Sequence, residues 1–533
     1  MHKPRLTAVL ALTTATVSLA LAAPAGAVTV TKVATSTSGG CALLSTGIVR
    51  CWGANNSGQL GNGTKTNSYS PVSVTGITDA VDVSVGSAVA CAVLSGGTIK
   101  CWGSHQYYLL GNGTNYGCSI GGGGGGFPFI SGRAARRGPI VKAGYGSSST
   151  CDSSTPVSVS YITNATKVSI ASHHACALLS TGNVQCWGTQ YNGELGNGFS
   201  SSWSNTPVSV SQAASFPSIP LANATAVATG ANHSCARISN GTVRCWGSNT
   251  GGFLGTGNTT SLTTATTPMT GISDATAVAA DTDSTATCVL VGSGKVKCAG
   301  VNSVGQLGNG TTSSYQSTAV LVQSGASDLT GATALSTAGN RTCAVVSGAT
   351  LSCWGYNNLG QLGDGTTTNQ TKAVTISGLS DVTGVGLSQY MGCAIVDSGA
   401  GIKCWGTGYL GSGGSSSLSQ SAAVSVINVF PKPLPSTPVL TGAPSGSTTS
   451  TDATISFTAD DSESFECSVD GGTYAVCTSP KTINWLTKGS HSLAVKAKNT
   501  EGYSPVSTAT WSVDIGTTLT SATEWKSISA GFL

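Results

Sequence analysis

Cysteine is the residue type in this chain best equipped for chemistry, and its spacing is regular. The eighteen cysteines fall as Cys41/Cys51, Cys91/Cys101, Cys176/Cys186, Cys235/Cys245, Cys288/Cys298, Cys343/Cys353, Cys393/Cys404 and Cys467/Cys477, with Cys118 and Cys151 left over. Seven of the first eight pairs are ten residues apart, and Cys393/Cys404 are eleven apart. Zinc is one reading, but zinc sites favour C-x(2–4)-C spacing with histidine ligands nearby. A hairpin is the other. Setting Cys41 opposite Cys51 centres the turn on Thr46 and leaves Gly47 late in it, where a three-residue loop takes a left-handed glycine. Residues opposed on antiparallel strands stand ~4.5–5.5 Å apart, a span that a disulfide bridges. All eighteen are therefore expected to pair as given, with Cys118 bonded to Cys151 because these two remain.

The other reactive side chains make no catalytic pattern. Residues 28–430 hold eleven acidic groups, only one of them Glu, dispersed along the chain. A glycosidase needs two convergent carboxylates, and folding would have to bring Asp281 or Asp283 to another acid. His173, His174 and His233 stand two or three positions before a repeated cysteine. With those cysteines in disulfides, the histidines are expected to hydrogen-bond within the sheets rather than hold a metal. No nucleophile elbow, H-E-x-x-H or phosphate loop occurs. The chain is read as a non-enzyme with no catalytic residue, no cofactor and no metal. The recurring N-G-T triplets match glycosylation acceptors, but their fixed place marks them as turn residues first.

The elements that must carry these cysteines follow from composition. Only 8% of the 533 residues are charged, against roughly 25% in an average soluble protein. Glycine numbers 72, and 39% of residues are hydrophobic. That is enough apolar side chain to bury a core, so the chain is not a solvated disordered segment. Glu, Lys and Leu are too scarce for a coiled coil. A formal charge of +4 over this length excludes nucleic-acid binding by bulk charge. An uncharged, turn-rich, all-β protein remains.

The N-terminus reads as an export signal. His2, Lys3 and Arg5 precede an apolar stretch from Leu6 to Ala23, and Ala25-Gly26-Ala27 supplies an A-x-A cleavage site. Residues 1–27 are thus expected to be a signal peptide. A retained membrane anchor is the alternative, disfavoured by four Thr and a Ser in the stretch. Leu434-Pro435-Ser436-Thr437-Pro438 has the look of a cell-wall sorting motif, but Pro438 stands where Gly is needed and no apolar tail follows. No other segment could span a bilayer, so the mature protein is expected to be secreted or held in the cell envelope. Disulfides suit that compartment.

One phrase recurs along the chain. CALLSTGIVRCWG at 41–53 returns at 91–103, 176–188, 235–247, 288–300, 343–355 and 393–406. Leu-Gly-x-Gly loops such as GQLGNGT (58–64) and GQLGDGT (360–366) follow the copies. A unit of about 50 residues cannot bury its apolar face alone, and seven in a row point to a closed propeller or a solenoid. The combination C-A-L-x-x-x-G-x-V-x-C-W-G with G-Q-L-G-x-G resembles the repeat of the regulator of chromosome condensation family, in its secreted bacterial, cysteine-paired branch. The resemblance covers residues 28–430 and implies a seven-bladed β-propeller. It departs at Ala299, which replaces the Trp of copy five, and in copies two, four and seven, which lose the loop Gln.

Beyond it, 431–438 reads as a stiff Pro-rich linker. Residues 439–515 alternate in the β manner, with Cys467 and Cys477 flanking an Asp470-Gly471-Gly472 turn. The phrase FECSVDGGTYAVC resembles bacterial immunoglobulin-like repeats, which implies a small β-sandwich. Residues 516–533 form a tail whose SATEWKSISAGFL looks like the start of a further, truncated repeat, or else is a polar tail.

Two places are candidates for binding. An insertion over 115–151 in repeat two carries Phe127, Phe129, Arg133, Arg136 and Arg137, with four basic and no acidic groups between 119 and 150. A tolerated surface insertion is the plain alternative. The loops after the W-G step carry Tyr107, Tyr108, Tyr191, Phe253, Tyr356 and Tyr409, which symmetry would gather on one face. The family resemblance implies interaction roles: nucleotide exchange on a nuclear GTPase, chromatin binding or, in secreted bacterial members, inhibition of β-lactamases. The nuclear role conflicts with export. The expected function is a monomeric, secreted binding module for an extracellular protein or anionic envelope polymer. A polysaccharide-cleaving enzyme and a structural envelope spacer are the alternatives. Non-reducing peptide mapping of the exported protein should find no free thiol; two or more would overturn the pairing scheme.

Overall fold

The computed structural model describes residues 28–114, 151–214, 218–282, 285–414, 418–430, 435–499 and 502–516. In the first copy, strands Gly39–Leu44 and Val49–Gly53 pair antiparallel with Cys41 opposite Cys51. The turn between them closes by Gly47 N–H donating to the Leu44 carbonyl at 2.9 Å. Gly47 takes φ +84, and a Cβ there would stand 2.7 Å from the Asp79 backbone. Glycine is required on both counts. Strand Val30–Ser36 joins on one side and Ser68–Ser73 on the other, giving a four-stranded meander.

A bulge explains a recurring Thr near the start of the first strand. The register shifts between Val30 and Lys32, and the displaced Thr31 hydroxyl donates to the Leu43 carbonyl at 3.2 Å. Thr166, Thr225, Thr276 and Thr333 make the same bond in other copies. Each satisfies a carbonyl that the bulge would otherwise strand.

The meander recurs over residues 80–158, 165–209, 275–321, 332–375 and 384–425. Over 224–247 three strands form, and the fourth is reduced to the bridges Arg244–Pro268 and Gly247–Leu262. Pro268 has no N–H to donate. The Arg244 guanidinium instead reaches the carbonyls of Ala265 and Thr266 at 2.9 and 2.8 Å. Among the described residues this makes seven repeat sheets. The first strand of each contacts the first strand of the next, and that of the last, Gly384–Leu387, contacts Val30–Ser36. The sheets thus close on themselves, as in a β-propeller. Each comes from one contiguous stretch of chain, so closure depends on packing between sheets and not on a shared strand.

That packing is built on tryptophan. Trp52, Trp102, Trp187, Trp246, Trp354 and Trp405 are fully buried. Each indole lies under the Leu-Gly-x-Gly loop of the preceding copy. Trp102 Nε1 donates to the Gln59 carbonyl at 3.0 Å, Trp187 to Leu109 at 2.9 Å, Trp246 to Glu194 at 2.8 Å and Trp405 to Gln361 at 3.0 Å. Trp52 donates to Tyr409 at 3.1 Å and so joins the last sheet to the first. The loop presses so close that a Cβ on Gly61 would meet the Trp102 ring at 2.7 Å.

Copy five lacks this tryptophan, and the structure shows how the gap is filled. The buried residue of copy four that corresponds to Val74, Val210 and Val322 is Met269. Met269 approaches Gly255 where the other loops meet an indole, and packs with Phe253, Leu254 and Ala299.

Cysteine pairing follows the expected register in all seven repeat sheets. The bridges are Cys41–Cys51, Cys91–Cys101, Cys176–Cys186 and Cys235–Cys245, then Cys288–Cys298, Cys343–Cys353 and Cys393–Cys404. Their spacing corrects the expectation in one respect. The Cα–Cα distances are 4.0–4.1 Å, below the ~4.5 Å of even the closer kind of opposed pair. A covalent bond between directly facing residues draws the two strands together.

The second cysteine of a pair also meets the fourth strand, where that strand forms. Cys51, Cys101, Cys186, Cys298, Cys353 and Cys404 each face a valine there, and the register then shifts before the following glycine. Cys245 has only the two bridges of the reduced fourth strand beside it. All seven of these residues are fully buried, so they are structural staples held away from any reactive surface. Cysteine's chemical capacity is spent on the hairpins.

Cys467–Cys477 is also bonded but corrects the expected shared register. Cys467 stands opposite Ala475 and Cys477 opposite Phe465, so this bridge runs diagonally over a Cα–Cα distance of 5.8 Å. The longer loop around Asp470 shifts the return strand by two residues. Cys151 is disulfide-bonded, and its expected partner Cys118 lies outside the described residues.

The chain divides into two units between Val429 and Phe430. In the second, Val439–Thr441, Ala453–Thr458 and Lys481–Ile483 form one sheet. Ser464–Val469, Gly489–Asn499 and Ser507–Val513 are the main strands of another. Ile455, Phe457, Leu493, Val495 and Trp511 share its core.

The Met269 arrangement generates a test of the packing. Ala299→Trp alone should lower stability by about 1–3 kcal/mol through overpacking. Adding Met269→Val should recover most of the loss. Urea unfolding midpoints measure both, and stabilisation by Ala299→Trp with Met269 in place would contradict the account.

Candidate binding surface

In each four-stranded meander the turn between strands one and two and the loop between strands three and four lie at the same end. In copies one to six the loop after the third strand is held by a buried polar residue two positions after the glycine of W-G or, in copy five, of A-G. Asn55 donates to the Thr64 and Thr66 carbonyls, both at 3.0 Å, and accepts the Leu60 N–H at 2.9 Å. Asn249, Asn302 and Asn357 do the same work, each accepting a Leu N–H from the following loop. Gln190 takes the role in copy three. His105 takes it in copy two, with Nε2 3.3 Å from the Thr114 carbonyl. Sequence reasoning missed these residues, although their fixed distance from the tryptophan was a usable signal. The N-G-T asparagines close local turns as expected: Asn62 accepts from the Thr64 N–H and hydroxyl at 3.2 and 2.8 Å.

On this end of the second and third sheets, aromatic side chains gather. Tyr107 and Tyr108 are consecutive left-handed residues, at φ +62 and +60. A left-handed conformation costs roughly 1–2 kcal/mol for a residue with a side chain. The strain throws the two rings in different directions. Tyr107 packs on the core of its sheet, with its ring 4.5 Å from that of His173 at an interplanar angle of 76°. Tyr191, 47% exposed, lies 5.7 Å from the same imidazole at 85°. Tyr108 stacks on Trp203 at 4.6 Å, and Trp203 is 52% exposed. Of the residues singled out from sequence, Tyr107, Tyr108 and Tyr191 therefore come together. His173 and Trp203 complete the group.

The remaining singled-out residues do not join them. Tyr409 is half-buried, packed on Tyr69 at 5.3 Å where the ring of sheets closes. Tyr356 is half-buried on its own loop. Phe253 corrects the expectation of an exposed aromatic: it is 4% exposed, because the space beside Ala299 draws it into the core. Phe127, Phe129, Arg133, Arg136 and Arg137 lie outside the described residues.

The histidines hydrogen-bond between neighbouring sheets. His174 Nε2 is 2.7 Å from the Ser234 hydroxyl, and His233 Nε2 is 2.8 Å from the Thr287 hydroxyl. Burial pushes the His174 pKa down to about 3, helped by repulsion from His173 and His233. Burial alone pushes His233 down to about 4. His173 is also lowered, chiefly by burial, against the raising effects of a hydrogen bond to the Ala231 backbone and of the Glu194 carboxylate. Asp281 is buried and accepts the Gly339 and Asn340 N–H groups at 3.0 and 3.2 Å, so its carboxylate caps a turn. Asp283 lies outside the described residues. Among those described, no group of three His, Cys, Asp or Glu could hold a metal ion.

Stacked antiparallel sheets closed into a ring, with loops gathered at one end, define a β-propeller. The family model for the Regulator of chromosome condensation (RCC1) repeat matches residues 46–93, and a second model of the same description matches 30–59, 165–194 and 224–252. Those stretches are similar to that repeat. Among solved structures it is similar to Prp20p from Saccharomyces cerevisiae, described with its binding to Gsp1p and histones. That match has 16% identity and a TM-score of 0.53, covering 71% of this chain and 85% of that one. Yeast RCC1 (Prp20) bound to Kap60 gives 16% identity and a TM-score of 0.54, over 71% of this chain and 83% of that one. Human WBSCR16 gives 17% identity and a TM-score of 0.52, over 67% of this chain and 84% of that one. At these identities the likeness is one of fold. No curated protein matches in sequence.

Buried neutral histidines make stability depend on pH. Their folded pKa values lie below the unfolded value near 6.5, so the unfolded chain binds more protons. Stability should therefore fall as pH drops from about 6.5 toward 4, by up to about 1.4 kcal/mol per pH unit for each group. A His174→Gln/His233→Gln variant should show a shallower fall in melting temperature between pH 7 and pH 4. An equally steep fall would remove these histidines as its cause.

Proposed function

We propose that this chain is a secreted, non-catalytic binding module. In this reading residues 28–430 form a seven-bladed propeller, and an immunoglobulin-like sandwich follows. The module takes its extracellular partner on the Tyr107, Tyr108, His173, Tyr191 and Trp203 cluster. The observation that carries this is the pair of successive left-handed tyrosines. Backbone strain persists where surrounding structure enforces it and collects at functional sites. Here it turns Tyr108 onto the exposed Trp203, while Tyr107 packs on the core of its sheet and against His173. Exposed aromatics of this kind are the usual anchors of binding surfaces.

Other features support parts of the reading. Cysteines paired throughout the described residues fit an oxidising compartment. No described helix is long and apolar enough to cross a membrane. Two sheets around one core fit a sandwich in the second unit. The similar yeast propeller is described as binding Gsp1p and histones, so the scaffold is one on which protein recognition occurs. The carboxylate Asp281 is engaged in capping a turn, which fits a non-catalytic role.

A Tyr108→Ala/Trp203→Ala variant of the whole chain tests the surface. Truncating hot-spot aromatics costs about 2 kcal/mol or more, roughly thirtyfold in affinity. Capture of partners from culture medium and envelope extracts should fall accordingly, with the melting temperature held within a few degrees. Undiminished capture of the same partners would remove the cluster as the binding surface.

A further inference from the structure

We infer that the indole of Trp203 is a stacking platform for an uncharged sugar ring, and that the partner it takes is a neutral polysaccharide. The inference rests on the binding role proposed for this cluster and gives its ligand a chemistry.

The first argument is the way the indole is held. Trp203 lies in Ser202–Ser209, the edge strand of the third sheet, opposite Thr189. Tyr108, from the loop of copy two, covers one face of the indole, with ring centroids 4.6 Å apart and planes at 20°. Trp203 is still 52% exposed, so its open surface is the other face and the rim. The strand backbone and the stacked ring together fix the plane of the indole. A flat ring supported from beneath loses little freedom when a ligand settles on it. Phe199, 59% exposed, and the exposed Ser200 and Ser201 precede it on the same loop.

The second argument is the charge around the platform. Residues 104–114 and 189–206 contain no Lys or Arg. Their one acid, Glu194, is buried and accepts the Tyr191 and Asn192 N–H groups. Asp152 accepts the His105 N–H at 3.1 Å. Burial lowers the pKa of both His105 and His173, so neither imidazole is charged at neutral pH.

This neutrality sorts the ligands. An anionic polymer is held by cations, and a nucleobase stacked on an aromatic ring brings phosphates that need them too. A cation sits best over a ring with a carboxylate beside it, and both carboxylates here are engaged in holding loops. Protein hot spots draw on arginine as well as on aromatic rings. A ligand with a flat apolar face and an uncharged polar rim fits all these conditions, and a pyranose is one. Its C–H groups meet the negative face of the aromatic ring. Its hydroxyls find partners in the indole N–H and in neighbouring serine hydroxyls. The basic insertion, expected to favour an anionic polymer, lies outside the described residues.

The test is calorimetric titration of the full-length mature protein with cellohexaose and with mannohexaose, with oligogalacturonate as the anionic control. Saturable binding of at least one neutral hexasaccharide is expected, with Kd at or below about 1 mM. Its affinity should not change between low salt and about 0.5 M salt, since no charge pair forms. Trp203→Ala should weaken binding about tenfold or more, and Trp203→Phe, which keeps a smaller flat ring, should weaken it less. Tyr108→Gly keeps the fold, because glycine suits the left-handed backbone at that position, and should weaken binding by removing the support beneath the indole. Failure of both neutral hexasaccharides to bind, equal binding by Trp203→Ala, or tighter binding of oligogalacturonate overturns the inference. If partner capture still depends on Tyr108 and Trp203 in that case, the binding surface stands with a protein partner and only its sugar chemistry falls.

Discussion

The first unit depends on one contact used again and again, a tryptophan clamped beneath the glycine loop of the neighbouring copy. Strand pairing inside each sheet is local and could form in any meander. Nothing in it ties one sheet to the next. The buried indole does so twice over, by its large apolar area and by a hydrogen bond to a loop carbonyl that would otherwise be buried unpaired. The bond from Trp52 to Tyr409 is what makes a row of sheets into a ring. Without a strand shared between the first and last sheets, closure has the same chemistry as the other tryptophan junctions. Trp354 shows which half of the contact matters more, since it is fully buried in the same place with its N–H unpaired.

Such a scaffold leaves the loop ends free to vary. Once the buried polar residue after W-G has fixed the loop, the residues that follow it are free to differ between copies. Copies two and three use that latitude to set out Tyr107, Tyr108, Tyr191 and Trp203, and accept left-handed tyrosines to do it. Copy four uses the same latitude inwardly, where Phe253 and Met269 fill the room left by Ala299. Similar residue types thus end on opposite sides of the surface for reasons set by the neighbouring copy.

Polar groups within the ring obey the same rule of mutual satisfaction. His174 and His233 reach hydroxyls on the next sheet, the bulge threonines satisfy their own partner strand, and Asp281 caps a turn. Glu194 does the same within its loop, accepting the Tyr191 and Asn192 N–H groups.

Much of this was legible in the sequence, because it is local. The ten-residue cysteine spacing fixes a hairpin register, and Gly47 fixes its turn. Seven copies of one phrase imply sheets that must bury their faces on one another. The loop tyrosines of copies two and three were identifiable from their place after W-G. Other features depended on residues far apart in the chain. Nothing near Phe253 says that position 299 of the next repeat is an alanine, so its burial could not be read. Nothing near His173 says that two tyrosines from separate loops flank it, or that Trp203 stacks on Tyr108. The diagonal bridge of Cys467 and Cys477 was hidden too, since equal spacing does not fix register when a loop lengthens. The repeated unit could be read from the chain because strand, turn and disulfide involve neighbours within about a dozen residues. Which side chains meet between copies emerged with folding, because packing brings together residues whose separation carries no local signal.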